Sequence, residues 1–284
     1  MSLARPSDRE AVPAWLALAR AAASEASPDR SGDAAGGWPE LAASVGRLRG
    51  SALAEAAALI GLPVGVLGER SPDSCHGVRS TSFGSAATRR PLRVVDLSSL
   101  WAGPLCAAIL GAAGAQVTKV EASGRPDGAR RGSPELFGRL NGDKALVSLD
   151  LAAPGGRLAL AELVARADVV VESSRPRALE QLGIVAATER AGADGPHVWV
   201  SITGHGRSSP RVAFGDDAAV AGGLVVATPG GPRFCGDAAA DPLAGLTAAA
   251  AALEALAAGE RVLVDVALSG VAASIAVDLG FPGS

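Results

Sequence analysis

From residue 92 onward, short apolar runs alternate with stretches in which apolar residues recur at helical spacing. The runs that predict strands are 92–97, 116–120, 145–149, 169–172, 197–202 and 262–266. Helices are predicted at 104–113, 155–167, 177–182, 217–227 and 241–258, with a last helix that starts at 268. Strands separated by helices pair in parallel through right-handed crossovers. The sequence therefore predicts an α/β fold with a Rossmann-like parallel sheet core and flanking helices.

The first 68 residues differ, because their apolar residues repeat at helical spacing alone, as at Trp15, Leu16, Leu41 and Val45. We expect a small N-terminal helical segment there. Residues 69–91 are rich in Ser, Thr, Gly and Arg without periodicity, which is typical of an exposed linker. The predicted domains are thus a helical segment at 1–68, a linker at 69–91 and the core at 92–284.

Charge and cysteine content exclude several classes of partner. The charged fraction is 19%, the formal net charge is -3 and aromatic residues make up 3%, so the chain has neither a basic field nor stacking platforms for nucleic acid. The cysteines Cys75, Cys106 and Cys235 are odd in number and lack CxxC spacing, so we expect no disulfide framework and no metal site. A reducing, cytoplasmic environment fits this pattern.

Two apolar stretches could be mistaken for targeting or membrane segments. The stretch 12–23 follows acidic residues and is interrupted by Arg20, unlike a secretory signal. The stretch 242–258 contains Glu254 and consists mostly of small residues, unlike a membrane span. The sequence therefore predicts no membrane association.

The first strand, turn, helix and second strand resemble a nucleotide-binding unit, in which Glu121 would be the ribose-binding acid. The turn 98–104 reads SSLWAGP and contains Gly103 alone, whereas a dinucleotide fingerprint needs GxGxxG there. Gly111 and Gly114 fall at the far end of the helix, where they suit a C-cap and a turn. NAD binding is therefore the weaker alternative.

Several short segments, each weak alone, occur in the order and spacing of one protein family. They are RVVDL (93–97), WAGP (101–104), LGAAGA (110–115), VTKVE (117–121), NGDK (141–144), SLDL (148–151), ADVVVE (167–172), RP (175–176), LEQLG (179–183), SITGHG (201–206) and DPLAG (241–245). Together they resemble the class III CoA-transferases, also called CaiB/BaiF, which include formyl-CoA and carnitine CoA-transferases and an α-methylacyl-CoA racemase branch.

The resemblance implies an interlocked homodimer in which CoA, a substrate and not a tightly bound cofactor, lies along the carboxyl ends of the strands. The residues that would line the CoA site by position are Trp101, Ala102, Ala122, Leu149, Asp150, Ala152, Ser173, Ser174 and Arg175. Ordinary packing is the alternative for Ala102 and Leu149. Relatives often carry arginines at the positions of Ala122 and Gln181. Arg175 or Arg177, or similarly Lys144, would supply the phosphate contact here, and solvated surface arginines are the alternative interpretation.

Asp241 is the predicted catalytic residue. Followed by Pro242 and a long apolar helix, it is typical of a helix N-cap, where backbone N–H groups stabilise a carboxylate, and a cap alone is the alternative interpretation. Asp241 and Gly245 match the D-x-x-x-G pattern of the family, in which the aspartate attacks the thioester and forms anhydride and aspartyl-CoA intermediates. The implied function is CoA transfer from an acyl-CoA to a carboxylic acid.

Two other functions remain open. Racemase relatives use a histidine about thirty residues upstream of the aspartate, but 211–217 contains none, and His205 is expected to lie in a loop near the site. Asp216 and Asp217 either approach the substrate or only begin a helix.

Family members continue beyond the last predicted helix, and the segment 59–68 resembles part of their small domain. We therefore also consider a noncatalytic CoA-binding subunit, or activity that depends on a partner chain.

Overall fold

The computed structural model describes residues 1–22, 37–70, 77–85, 91–174, 176–184 and 195–281. The helices are α1 Pro6–Glu10, α2 Val12–Ala22, α3 Trp38–Val45, α4 Gly50–Ile60, α5 Ala102–Ala112, α6 Ala129–Gly132, α7 Pro134–Asn141, α8 Pro154–Ala165, α9 Pro176–Glu180, α10 Gly215–Ala221, α11 Ala240–Ala258 and α12 Leu268–Asp278. The strands are β1 Val78–Ser85, β2 Arg93–Asp96, β3 Gln116–Ala122, β4 Ala145–Leu149, β5 Val169–Glu172, β6 Val198–Thr203, β7 Val225–Thr228, β8 Gly231–Phe234 and β9 Glu260–Ala267.

A seven-stranded sheet forms the centre of the core, in the order β1-β9-β6-β5-β2-β3-β4. All neighbours pair in parallel except β1 and β9. The valines of β5 are fully buried because helices cover both faces of the sheet, which is why this strand is a continuous apolar run. The six predicted strands are all present, and the predicted α/β fold with a parallel Rossmann-like core is confirmed.

Two strand pairs were not predicted. β1 lies inside 69–91, the predicted linker, and pairs along the sheet edge with β9; its exposed RSTS residues carry no apolar signal. β7 and β8 form a hairpin at 225–234, so the helix predicted at 217–227 ends at Ala221, before Gly222 and Gly223. The division into domains at 68 and 91 stays a prediction, although the exposed linker expected at 69–91 is partly a strand.

Three apolar clusters hold the fold together. Helices α5, α11 and α12 cover one face of the sheet, and α8 covers the other. The N-terminal segment has its own cluster around Trp15, whose indole N–H donates to the Leu53 carbonyl at 2.8 Å. Among the described residues, α11 has the length and apolar composition of a membrane span, but its Ala244, Ala248 and Ala252 are fully buried in the core.

Candidate active site at the carboxyl edge of the sheet

A cavity of about 680 Å³ lies at the carboxyl ends of β2, β5, β6 and β9. The residues that line it are Ser99, Leu100, Ala102, Gly103, Ser173, Ser174, Glu180, Ile202, Thr203, Gly204, Arg207, Ser208, Ser209, Pro210, Arg211, Val212, Ala213, Phe214, Asp241 and Leu268. From β2 the chain passes to β3 on one side, while β5 lies on the other, so connections leave this point in opposite directions. Ligands of open α/β sheets bind at such a switch point.

Buried ion pairs hold the turn between β2 and α5. Lys119 and Asp127 are both buried, lie 3.0 Å apart, and Lys119 also donates to the Ser98 carbonyl at 2.9 Å. The Asp127 carboxylate accepts the Leu100 backbone N–H at 3.0 Å. Leu100 has φ +70°, a conformation that is strained for a residue with a side chain. The network therefore holds a strained turn against the cavity.

A second buried pair fixes the start of α5. Lys144 donates to Asp96 at 2.8 Å, to the Pro104 carbonyl at 2.8 Å and to Asn141 at 2.9 Å. Burial lowers the pKa of Lys144, against the attraction of Asp96. The suggestion that Lys144 contacts phosphate is therefore wrong, because all three of its donors are used inside the core. Asp96 also accepts the backbone N–H of Ser98 at 3.0 Å.

Gly245 lets α11 pack closely on the first turn of α5. A Cβ atom at position 245 would lie 2.6 Å from the Ala102 carbonyl oxygen, which is too close for any side chain. Asp241 lies one turn earlier on the same face of α11. The glycine of the D-x-x-x-G pattern therefore brings the aspartate to the WAGP turn.

Asp241 is partly buried and lies at the second position of α11, whose N-cap is Ala239. The predicted N-cap role is wrong because the chain turns at Ala238, with φ +47°, and the helix begins before Asp241. Burial first, and then the charge of Asp217, raise the pKa of Asp241 to about 7, against a hydrogen bond from the Gly215 backbone. Burial and Asp217 therefore outweigh the stabilisation of the carboxylate by backbone N–H groups that the N-cap interpretation predicts.

Two further carboxylates stand beside Asp241. Asp217 is fully buried, accepts the Phe214 backbone N–H at 3.1 Å and accepts the Ser2 hydroxyl. Burial raises the pKa of Asp217 to about 6, against the Ser2 hydrogen bond and the positive N-terminus. Asp216 accepts the Ala238 backbone N–H at 2.8 Å. Both carboxylates stabilise the local backbone, and their charges act on Asp241.

The structure brings part of the predicted CoA site together. Ala102, Ser173 and Ser174 line the cavity with Asp241, and Trp101 precedes Ala102 as the N-cap of α5. The predicted residues that lie on the same sheet edge, at or just beyond the ends of β3 and β4 and outside the cavity lining, are Ala122, Leu149, Asp150 and Ala152. Arg175 and the side chain of Arg177 lie outside the described residues.

Sequence reasoning missed the arginines of the cavity. Arg207 donates to the buried Glu172 at 3.1 Å, and burial raises the pKa of Glu172. Arg211 donates to Glu69 at 2.9 Å. Both arginines follow β6, and their place in a loop after the carboxyl end of a strand is the signal that could have identified them.

Neither His205 nor Glu121 is among the residues that line the cavity. His205 is buried outside the cavity lining, with Nδ1 3.2 Å from the Ser269 hydroxyl. Burial and the charges of Arg211 and Arg70 lower its pKa to about 3, so it is neutral. Glu121 accepts the Arg130 guanidinium at 2.5 Å and the Asp127 N–H at 2.7 Å, so it does not offer a free carboxylate to a ribose.

Comparison with known proteins gives a consistent result. The succinyl-CoA--D-citramalate CoA-transferase of Chloroflexus aurantiacus is 33% identical over 184 residues, which cover 59% of this chain and 45% of that protein. The succinyl-CoA:glutarate CoA-transferase of Mus musculus is 33% identical over 127 residues, which cover 42% of this chain and 29% of that protein. The chain thus spans less than half the length of these relatives.

Solved structures support the fold. A hypothetical protein of Mycobacterium tuberculosis (Rv3272) has a TM-score of 0.61 and 29% identity, over 68% of this chain and 59% of that one. A CAIB/BAIF family protein from Brucella suis has a TM-score of 0.59 and 27% identity, over 67% of this chain and 55% of that one. The sequence matches CoA-transferase family III over residues 90–278, which include the whole lining of the cavity. The chain belongs to CoA-transferase family III.

Proposed function

We propose that the protein transfers CoA from an acyl-CoA thioester to a carboxylic acid, with Asp241 as the nucleophile. The observation that carries this proposal is a carboxylate with a raised pKa in a cavity at the sheet edge where ligands of this fold bind. The names of the relatives, which transfer CoA between succinyl-CoA and other carboxylic acids, support the reaction class.

In the proposed reaction, a carboxylate oxygen of Asp241 attacks the thioester carbonyl carbon, and the CoA thiolate leaves as a mixed anhydride forms. The thiolate then attacks the aspartyl carbonyl and releases the first carboxylate, which leaves aspartyl-CoA. The acceptor carboxylate repeats these two steps in reverse and regenerates Asp241. No proton or electron is gained or lost overall, so the chain needs no additional cofactor for this chemistry.

The raised pKa suits this role. A carboxylate with a pKa of about 7 is more basic than an ordinary aspartate, and therefore more nucleophilic, and a large fraction of it is ionised at neutral pH. CoA itself would lie along the edge past Ala122, Leu149, Asp150 and Ala152, with Trp101 and the Ser173–Ser174 turn nearer the thioester. A homodimer in the cytoplasm is part of the same proposal, and light scattering of the purified chain tests the dimer.

Purified protein incubated with succinyl-CoA and a range of carboxylic acids tests the function. We expect a new acyl-CoA, identified by mass spectrometry, to appear only when the acceptor is present. Exchange of the substrate α-hydrogen in deuterated water without new acyl-CoA would instead indicate a racemase. CoA binding without either reaction would indicate a noncatalytic CoA-binding subunit, and nicotinamide binding with CoA excluded would overturn the assignment of the site.

Replacing Asp217 by Asn should move the acid limb of the kcat/KM profile to lower pH. Asp241 must be ionised to attack, and the negative charge of Asp217 helps to raise its pKa. A neutral Asn removes that contribution, so Asp241 loses its proton at a lower pH. Asp216→Asn serves as a graded control with a smaller shift in the same direction, because Asp216 is the weaker influence. If the acid limb of Asp217→Asn stays at the wild-type pH or moves to higher pH, the electrostatic account is contradicted.

A further inference from the structure

Eight consecutive residues, 207–214, line one wall of the cavity, and we refer to them as the cavity loop. No residue of the loop lies in a helix or strand. Two backbone hydrogen bonds lie at its ends: the Ser209 N–H donates to the Gly206 carbonyl at 3.0 Å, and the Phe214 carbonyl accepts the Ala218 N–H at 2.9 Å. Between these ends, its arrangement must come from side chains and from the elements against which it packs.

The core anchors the beginning of the cavity loop. The backbone N–H of Arg207 donates to the Asp265 carboxylate at 3.1 Å, and the Arg207 guanidinium donates to Glu172 at 3.1 Å. Gly204 also allows close packing, because a Cβ atom there would lie 2.6 Å from the backbone nitrogen of Ala213. The two ends of the loop thus approach each other at the end of β6.

The N-terminal segment, residues 1–68, and Glu69 directly after it hold the middle and the far end of the loop. Arg211 donates through Nη2 to the Glu69 carboxylate and to the Val64 carbonyl, both at 2.9 Å. The side chains of Arg211 and Glu69 are 23% and 15% exposed, so solvent screens this ion pair less than a surface pair. At the far end, Ser2 donates to Asp217, which in turn accepts the N–H of Phe214. No described residue of the segment itself lines the cavity.

We propose that Glu69 is a positioning residue, which holds Arg211 and with it the cavity loop in the arrangement that admits acyl-CoA. This inference rests on the proposed function. Glu69 does not touch the cavity, so its effect on turnover must pass through Arg211. The N-terminal segment, which contributes the Val64 carbonyl to the same contact, is then part of the working site together with Glu69.

A double-mutant cycle between Glu69 and Arg211 separates this role from a general structural one. We expect Glu69→Gln to lower kcat/KM for acyl-CoA about fivefold, and Arg211→Gln to lower it at least as much. The effects of two residues that contact each other are not additive. Because Glu69 acts through Arg211, the double variant should be no worse than Arg211→Gln alone. Losses that multiply would overturn the proposal. Glu55→Gln, the same change at an exposed position of α4, should leave kcat/KM unchanged.

Hydrogen–deuterium exchange gives a readout that does not depend on turnover. In Glu69→Gln, backbone amides of 207–214 should exchange faster than in the wild-type protein, while those of α5 exchange at the wild-type rate. Unchanged exchange in the loop would overturn the proposal whatever the activity, and so would faster exchange with unchanged kcat/KM. If the wild-type chain shows no turnover, the proposed function is contradicted. The role of Glu69 is then still tested, because the exchange comparison decides whether Glu69 holds the loop.

Discussion

Replacing Asp241 by Asn should lower kcat at least about a thousandfold, because an amide cannot form the anhydride through which the proposed reaction passes. Asn has nearly the shape of Asp, so packing around it is preserved. Asp237→Asn is the matched control, since Asp237 is an exposed aspartate four residues upstream and should be dispensable. Full turnover in Asp241→Asn, with intact-mass analysis excluding deamidation back to Asp, would contradict the mechanism.

The same variant should also be more stable than the wild-type protein above neutral pH. The pKa of Asp241 is raised in the folded protein from 3.8 to about 7, so the unfolded chain releases this proton more readily. Ionisation therefore lowers the free energy of unfolding progressively as the pH rises from 3.8 to about 7, and Asn removes this effect. We expect a higher Tm in Asp241→Asn well above the folded pKa and no difference in Tm below the unfolded pKa. Lost turnover together with gained stability distinguishes a functional carboxylate from a structural one.

The second large effect concerns stability. Lys144→Met should lower the free energy of unfolding by about 3–5 kcal/mol, because it leaves the fully buried Asp96 carboxylate without its cation. Denaturation in urea measures the change. The matched control is Arg139→Met, which breaks an ion pair with Glu135 whose side chains are 74% and 80% exposed. An exposed pair contributes little, so we expect a change below about 0.5 kcal/mol.

The double variant Lys144→Met with Asp96→Leu refines this test. With both charges absent, part of the lost stability should return, because no unpaired charge remains buried. Turnover should be lower than in the wild-type protein in both Lys144→Met and the double variant, because Asp96 and Lys144 together hold Ser98 and Pro104 in the turn 98–104. Equal stability losses in Lys144→Met and Arg139→Met would show that burial of the Lys144 pair has no energetic consequence.

The sheet could be predicted from the sequence because its central strands are buried on both faces and therefore form apolar runs. β5 is the clearest example. β1 was not predicted because an edge strand faces solvent and therefore lacks an apolar run. Its register is set by β9, which lies far along the chain. The hairpin was not predicted because the helix predicted at 217–227 covers most of β7, Val225–Thr228, and because the largely exposed β8, Gly231–Phe234, has no apolar run.

The candidate site was only partly predictable. Resemblance to a family identified Asp241. Its raised pKa depends first on burial and then on the charge of Asp217, which the packing of α10 against α11 brings near. The sequence does not show that Lys144 is paired inside the core, because its partner, Asp96, precedes it by 48 residues. Contacts between residues that are distant in sequence create these environments, and local patterns do not encode them.

Trapping the acyl-enzyme intermediate tests the central claim most directly. The protein is incubated with acyl-CoA, quenched with hydroxylamine and digested, and the peptide that contains Asp241 is analysed by mass spectrometry. We predict a hydroxamate on Asp241 in the wild-type protein and in Asp237→Asn, and none in Asp241→Asn. Turnover without modification of Asp241, or with modification of a different carboxylate, would contradict the account.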